Sequence, residues 1–325
     1  MIDRRQVLTA LSAAPALSFA GPAASAATAR LTSGISRSIA ALEVRSGGRL
    51  GVAVLDTADG KTFGHRADER FAMCSTFKTL VAGLVLKRVD QGQERLDRRI
   101  RYGKDVLITH SPVTEKHVGE GMTVGALCEA TMITSDNAAA NLLLDTFGGP
   151  KALTAFLRGL GDKVTRCDGY EPGLNVVKPG EIHDTTSPNA MLATLRTLTL
   201  GSALSPASRQ QMVAWLIANQ TGDKRLRAGL PAGWKVGDKT GSWGDGKTGT
   251  TNDIAVIWPG PDRPPLLITA YLNHSMLDND GRNAVIAEVA RLVTAAGFGS
   301  QARECNLKGA AMSRAASHCS LRPSA

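Results

Sequence analysis

Strand-forming segments stand near both ends of this chain, and the long stretch between them reads as helix; no other feature constrains the fold more. Leu50 to Thr57 is an alternating apolar run, followed by the turn Ala58-Asp59-Gly60-Lys61 and a short strand around Thr62 to His65, which together predict a hairpin. Strand character returns with Trp234 to Lys239, Asn252 to Trp258 and Leu266 to Tyr271. Between these ends, apolar residues recur at helical spacing over Ser75–Asp90, Val124–Met132, Ala138–Phe147, Pro150–Leu160, Pro188–Leu200 and Pro206–Asn219, each segment opened or closed by Gly, Pro or Ser. Helices over about Ser33–Arg45 and Gly281–Ala296 complete the pattern. The two ends must therefore share one antiparallel sheet with helices packed on it, an α/β (α+β) sandwich carrying an all-helical insertion. The expected division is 33–70 with 220–298 for the sheet part and 71–219 for the helical part, with the site where they meet. From Gly161 to Ser187 no periodicity is sustained, and so long an irregular segment inside a compact domain is usually functional.

The 325 residues are 43% hydrophobic and 21% charged, an ordinary globular balance. The N-terminus reads Met1-Ile2-Asp3-Arg4-Arg5, then an apolar run from Val7 to about Ala20, then the small-x-small triplet Ala24-Ser25-Ala26. This is the pattern of an export signal, residues 1–26, too short and too rich in Ala and Pro for stable membrane insertion. Export to the periplasm or the medium is expected, and Arg4-Arg5 leaves the twin-arginine and general routes both open. Residues 27–298 are the expected catalytic domain, and 299–325 a small polar tail. The net charge of +9 raises the question of nucleic acid, but the basic residues are scattered and aromatics are 4% of the chain, so a solvated surface accounts for it. Five cysteines, Cys74, Cys128, Cys167, Cys305 and Cys319, leave at least one thiol unpaired. Cys74 reads as a small buried hydrophobe, and Cys305 with Cys319 could close a short loop in the tail.

Three short motifs carry chemistry: Ser75-Thr76-Phe77-Lys78, Ser135-Asp136-Asn137 and Lys239-Thr240-Gly241, with Glu171-Pro172-Gly173-Leu174-Asn175 between the last two. A Ser opening a helix with a Lys three residues on puts both side chains on one face. A serine hydroxyl is a weak nucleophile without an adjacent base, and a desolvated lysine near other cations can serve as one. The plain alternative, a capping Ser with a surface Lys, is open for this motif alone. Ser135-Asp136-Asn137 reads as a capped turn before the next helix, which would aim Ser135 and Asn137 at a cleft. Lys239 and Gly241 fall on one side of a strand, where Gly lets an extended ligand lie along the edge.

Two competing motifs fail on context. Gly241 to Thr248 matches the phosphate-loop pattern G-x-x-x-x-G-K-T, which needs a strand before and a helix after. Here Trp243-Gly244-Asp245-Gly246 reads as a hairpin turn and a strand follows, so no nucleotide is expected. Asp278-Asn279-Asp280-Gly281 lacks the calcium-loop spacing and reads as the turn before the last helix. The six histidines show no metal-ligand pairing, and no metal or cofactor is expected.

In order, spacing and context, the motifs resemble those of class A serine β-lactamases from about Ser33 to Phe298. The resemblance implies that Ser75 is acylated by the β-lactam carbonyl, that Lys78 assists proton transfer, and that Ser135 protonates the departing nitrogen. It further implies that Asn137 binds the acylamide side chain and that Glu171, helped by Asn175, holds the deacylating water. Whether Glu171 or Lys78 is the acylation base stays open. Lys239, Thr240 and Ser242 would hold the substrate carboxylate, with Gly241 on the same edge and the backbone N–H groups of Ser75 and Ser242 as the oxyanion hole. Where many members carry an arginine this chain has Thr251, and Arg225 matches the alternative arginine; a surface charge is the plain reading of it. His110 stands in place of an aromatic at the entrance, Gly169 in place of the arginine that pairs with the Asp184 counterpart, and Trp243 opens a short insertion through Thr248. Small-molecule β-lactams, as substrates of a monomeric enzyme, are the expected partners. A D-alanyl-D-alanine peptidase of the same fold shares the acylation residues, but the Glu171 motif favours hydrolysis. A β-lactam sensor would need an anchor and a signalling module that the sequence does not contain.

Overall fold

The computed structural model of the chain describes residues 22–300. Most of the expected signal peptide, with Arg4 and Arg5, and the tail carrying Cys305 and Cys319 lie outside the described residues. The first element, helix α1 (Pro22–Ser46), runs across the expected cleavage point after Ala26. Strands β1 (Arg49–Asp56) and β2 (Thr62–His65) form the N-terminal hairpin. The short strand β3 (Phe71–Ala72) leads into a 3₁₀ turn, Cys74–Phe77, and helix α2 (Lys78–Asp90). Strands β4 (Arg99–Ile100) and β5 (Met122–Thr123) pair with each other before helices α3 (Val124–Ile133), α4 (Asn137–Asp145) and α5 (Gly149–Gly159). The irregular segment follows, ending in β6 (Thr185–Thr186), which pairs with β3. Helices α6 (Pro188–Thr199), α7 (Pro206–Ile217) and α8 (Leu226–Gly229) lead to strands β7 (Lys235–Gly244), β8 (Gly249–Trp258) and β9 (Leu266–Ser275), and α9 (Asn279–Ala295) closes the fold.

The main sheet has the order β2-β1-β9-β8-β7, antiparallel throughout, so the two ends of the chain meet at the β1–β9 pair. Both of its faces are covered. Ile35, Ile39 and Leu42 of α1 and Ile286, Val289 and Val293 of α9 pack on Leu50, Val52, Ile257 and Ile268. Ala53, Ile254, Val256 and Leu267 face the helical core around Phe77, Val81, Val85 and Leu195. Burial on both faces is why β8 is apolar at successive positions, and each such Leu or Ile contributes roughly 1.5–3 kcal/mol.

Three features depart from the sequence reading. The four two-residue strands escape it, since a period of two cannot be read in two residues. Strands β7 and β8 extend to Gly244 and from Gly249, past the expected ends, because the Gly, Ser and Thr at the cleft end hide the apolar pattern. The helical insertion also leans on the sheet: at Gly51 of β1 a Cβ would stand 2.4 Å from the Phe71 ring and 2.9 Å from Pro188 at the start of α6. Other expectations hold. Gly241 to Thr248 is the end of β7 and a turn, with the Asp245 carboxylate accepting from the amides of Lys247 (2.8 Å) and Thr248 (2.7 Å), and strand β8, not a helix, follows from Gly249. Asp278 caps α9 by accepting from Gly281 N at 2.7 Å.

Candidate active site

Ser75 lies in the 3₁₀ turn and Lys78 is the first residue of α2, so the pair straddles the junction rather than sitting in an α-helical first turn. At three residues per turn the two side chains still eclipse, and Lys78 Nζ stands 2.9 Å from Ser75 Oγ. Lys78 is fully buried. Its Nζ also donates to the Ser135 carbonyl (2.8 Å) and Asn137 Oδ1 (2.5 Å), both pure acceptors, which take two of its hydrogens. The third position faces Ser75 Oγ and Glu171 Oε1, the latter 3.1 Å from Nζ. Burial pushes the Lys78 pKa down, against the opposing attraction of Glu171. A neutral amine here would turn its lone pair to the serine hydroxyl. Ser75 Oγ is also 3.3 Å from Glu171 Oε1, so two bases converge on one proton.

The second motif forms the opposite wall. Asp136 is the N-cap of α4, its Oδ1 accepting from Ala139 N at 2.9 Å, while Oδ2 takes the amides of Val113 and Thr114. Capping and loop attachment thus share one carboxylate, which holds Ser135 and Asn137 on either side of it. Ser135 Oγ is 3.0 Å from Lys239 Nζ and 3.3 Å from Lys78 Nζ, between two buried amines. Lys239 is held well below its ordinary pKa by burial and by repulsion from Lys78. Asn137 Nδ2 donates to Thr109 O at 2.8 Å, which leaves one of its hydrogens free for a ligand.

Glu171 comes from the irregular segment. Asn175 Nδ2 donates to Glu171 Oε2 (2.5 Å) and Pro172 O (3.0 Å), while Asn175 Oδ1 is buried without a protein partner. Asn141 of α4 grips the Glu171 backbone twice, accepting from its N–H at 3.0 Å and donating to its carbonyl at 2.9 Å. The neck of the loop is closed without an arginine on Asp184: its Oδ1 accepts from Asp168 N (2.7 Å) and Gly169 N (3.0 Å), and Arg166 pairs with Asp168 instead. Burial raises the Asp184 pKa.

The third wall is β7, the open edge of the sheet. Arg225 is buried, which removes the plain alternative of a surface charge. Its guanidinium donates to Asn283 Oδ1 (2.9 Å), Gly241 O (2.9 Å), Asn252 O (2.7 Å) and Ser242 Oγ (2.5 Å). One N–H of its five is left, and the Ser242 hydroxyl, already accepting, is turned to donate outward. Thr240 Oγ1 is hydrogen-bonded to Thr221 Oγ1. Behind them Asp238 and Asp253 are buried on one face of β7 and β8, each with an oxygen lacking a partner and each with its pKa raised by burial. Together Ser75, Ser135, Asn137, Asn175, Arg225, Thr240, Gly241 and Ser242 line a cleft of about 370 Å³, which also takes in Thr109, His110, Pro172, Thr221 and Trp243.

The description "Beta-lactamase enzyme family" belongs to the family whose sequence model matches residues 34–296, most of the chain. The chain belongs to that family. It is a class A serine β-lactamase and hydrolyses β-lactam antibiotics. Beta-lactamase L2 of Stenotrophomonas maltophilia is 50% identical over 73% of this chain and 77% of its own length. The carbapenem-hydrolyzing β-lactamase KPC of Klebsiella oxytoca is 49% identical over 73% of this chain and 80% of its own. Among solved structures, that of the last common ancestor of Gram-negative bacteria (GNCA4) class A β-lactamase has a TM-score of 0.78 at 68% identity and covers 81% of this chain and 98% of that one.

Several residues of this β-lactamase site were not found by sequence reasoning. Asn141 lies one helical turn beyond Asn137, and that i+4 spacing on a helix leaving the second motif is the signal that could have found it. Asn283 and Arg282 reach the β7–β8 edge from α9, Arg282 donating to Thr251 Oγ1 at 3.2 Å, and no local pattern marks them. Among the described residues six non-glycines have left-handed backbone, and four of them, Cys74, His110, Ser135 and Asp184, border the site. Such strain is held in place only where surrounding structure over-determines it. Cys74, Cys128 and Cys167 are buried thiols, pushed up in pKa by burial, and Cys74 is not a reactive group.

Proposed function

We propose that Ser75 is the nucleophile and that Glu171 separates this enzyme's hydrolysis from mere acylation. Ser75 Oγ adds to the lactam carbonyl as its proton passes to Lys78 or Glu171. The C–N bond breaks, and the nitrogen takes a proton from Ser135, whose hydroxyl is resupplied through Lys78. Water then adds to the Ser75 ester as Glu171 takes its proton, the ester C–O bond breaks, and Ser75 regains its hydrogen. The observation that carries this reading is Glu171 itself, one oxygen on Ser75 and Lys78, the other on Asn175, whose free Oδ1 can accept from the same water. The carboxylate of the substrate goes to Ser242, Thr240 and the remaining N–H of Arg225, with Lys239 supplying field strength behind Ser135. His110 and Asn137 border the acylamide side chain, and the N–H groups of Ser75 and Ser242 receive the oxyanion.

Export is part of the same reading: a signal peptide ending near Ala26 would release a monomer into the periplasm or medium. No helix among the described residues is long and apolar enough to cross a membrane. The test is nitrocefin turnover by the mature protein. Many turnovers per enzyme are expected, whereas stoichiometric acylation without release of product would return the site to the peptidase reading.

A further inference from the structure

We infer that Asn252 is a positioning residue of the oxyanion hole: its buried side-chain amide, reaching from β8, clamps the two carbonyls that lead into Ser75 and so fixes the Ser75 peptide against β7. The segment to be held is under strain. Cys74 adopts φ of 44° although it carries a Cβ, and the next peptide supplies the Ser75 N–H. Asn252 Nδ2 donates to both Ala72 O (2.9 Å) and Met73 O (3.1 Å), using both of its hydrogens. Asn273 of β9 accepts from Ala72 N at 2.9 Å, and the Asp184 carbonyl accepts from Met73 N at 3.1 Å. Residues 72–73 are therefore pinned on both edges, and one pin is the base of the Glu171 loop.

Asn252 stands opposite Gly241 in the β7–β8 ladder. At Gly241 a Cβ would lie 2.8 Å from Met73 O and 3.1 Å from Cys74 Cβ and Ser75 N, so the clamped segment is pressed directly on the β7 backbone. The backbone carbonyl of Asn252 accepts from Arg225, the guanidinium that also holds Ser242 Oγ. One residue thus ties the Ser75 side of the hole to its Ser242 side. The Asn252 side chain is fully buried, yet Oδ1 has no partner. Exchanging its oxygen and nitrogen would aim the oxygen at two carbonyls, so the orientation follows from the acceptors around it. Retaining a half-satisfied amide in such a place is costly unless its donor half is needed.

The inference rests on Ser75 as nucleophile, which Ser75→Ala tests separately through loss of the covalent adduct by mass spectrometry. Asn252→Ala is expected to lower kcat/KM for nitrocefin about 10²-fold, the scale of a disturbed oxyanion donor. A boronic acid that bonds Ser75 should lose affinity in parallel. In an acyl-enzyme trapped by Glu171→Gln, adding Asn252→Ala should move the ester carbonyl infrared band to higher wavenumber, a change that general destabilisation does not produce. Should Asn252→Ala not fold, Asn252→Ser, which keeps one shorter donor, is expected to show the same shifts to a smaller degree. A folded variant with an unmoved carbonyl band overturns the inference, whether its turnover is kept or lost.

Discussion

The interior of the site and its rim are built on different terms. Inside, Lys78 joins Ser75, Ser135 and Glu171 by hydrogen bonds and an ion pair, and further residues hold the set: Asp136 caps the turn of Ser135, and Asn141 and Asn175 hold Glu171. At the rim, His110 is exposed, Trp243 is half-buried at the start of a solvated hairpin, and Gly169 meets Asp184 through a backbone amide alone. The interior has little slack because most of its polar groups already have a partner whose loss would leave a buried group unsatisfied. The rim has few such constraints. The candidate catalytic residues and the entrance residues thus occupy different parts of one cleft.

The strongest way to break that contrast is at the interior. Ser75→Ala removes the proposed nucleophile, and nitrocefin turnover should fall by about 10⁴-fold or more. A smaller loss would mean that Glu171 can direct water at the lactam unaided. Glu171→Gln keeps the shape and the contact to Asn175 but cannot take a proton; kcat should drop by about 10²–10⁴-fold, with a stable acyl-enzyme visible by mass. Unaltered turnover would remove Glu171 from its role. One shell further out, Asn141→Ala deletes two partly buried hydrogen bonds to the Glu171 backbone, each of about 1 kcal/mol or more if its partner is left unpaired. Deacylation should slow by roughly ten- to a hundredfold, more than acylation does, in stopped-flow single turnovers. Equal slowing of both steps would show that Asn141 serves the fold rather than the loop.

Much of the interior was legible in the sequence because its parts are contiguous motifs, each set at the end of a regular element. Ser75 and Lys78 lie three apart at a helix start, and Lys239 with Gly241 alternates on a strand. The separation of strands to the two ends of the chain likewise carried the sheet and its helical insertion. Asn141 could have been read from helical spacing but was not. Arg225 could be matched to a site arginine only through the resemblance, since no local pattern tells a buried guanidinium from a solvated one, and burial here comes from α9 and β8. Asn252, Asn283 and Arg282 reach the site through register and packing across strands, which only the folded sheet defines. The strain at Cys74 and Ser135 is equally invisible, because neither residue type asks for left-handed backbone.

At the rim the expected effects are smaller and depend on the substrate. Trp243 follows Gly241 by two on β7, faces the same side, and shares the cleft lining with Pro172 and Asn175 across the opening. Its indole therefore narrows the space beside the acyl side chain. Trp243→Gly should lower KM about tenfold for cephalosporins with bulky acyl groups and leave benzylpenicillin kcat/KM within about threefold. A matching fall in turnover of both drugs would place Trp243 with the interior and erase the distinction.

The smallest effect concerns the neck of the Glu171 loop. Burial raises the folded-state pKa of Asp184 above its ordinary value, so its contribution to stability is fully present below the unfolded carboxyl pKa and is lost as pH rises through the folded one. At neutral pH its charge is a cost, set by burial and by repulsion from Asp168, with no arginine hydrogen-bonded to it. Asp184→Asn keeps an oxygen for the amides of Asp168 and Gly169 and removes that charge. The variant should melt about 1–3 °C higher than the parent at pH 7 by calorimetry, with the difference closing near pH 4. A lower Tm at pH 7 would show that the ionised carboxylate stabilises the neck, and the rim would then be held as firmly as the interior. Deacylation in the variant should stay within about twofold of the parent, because the two Asn141 bonds, and not Asp184, fix the Glu171 peptide.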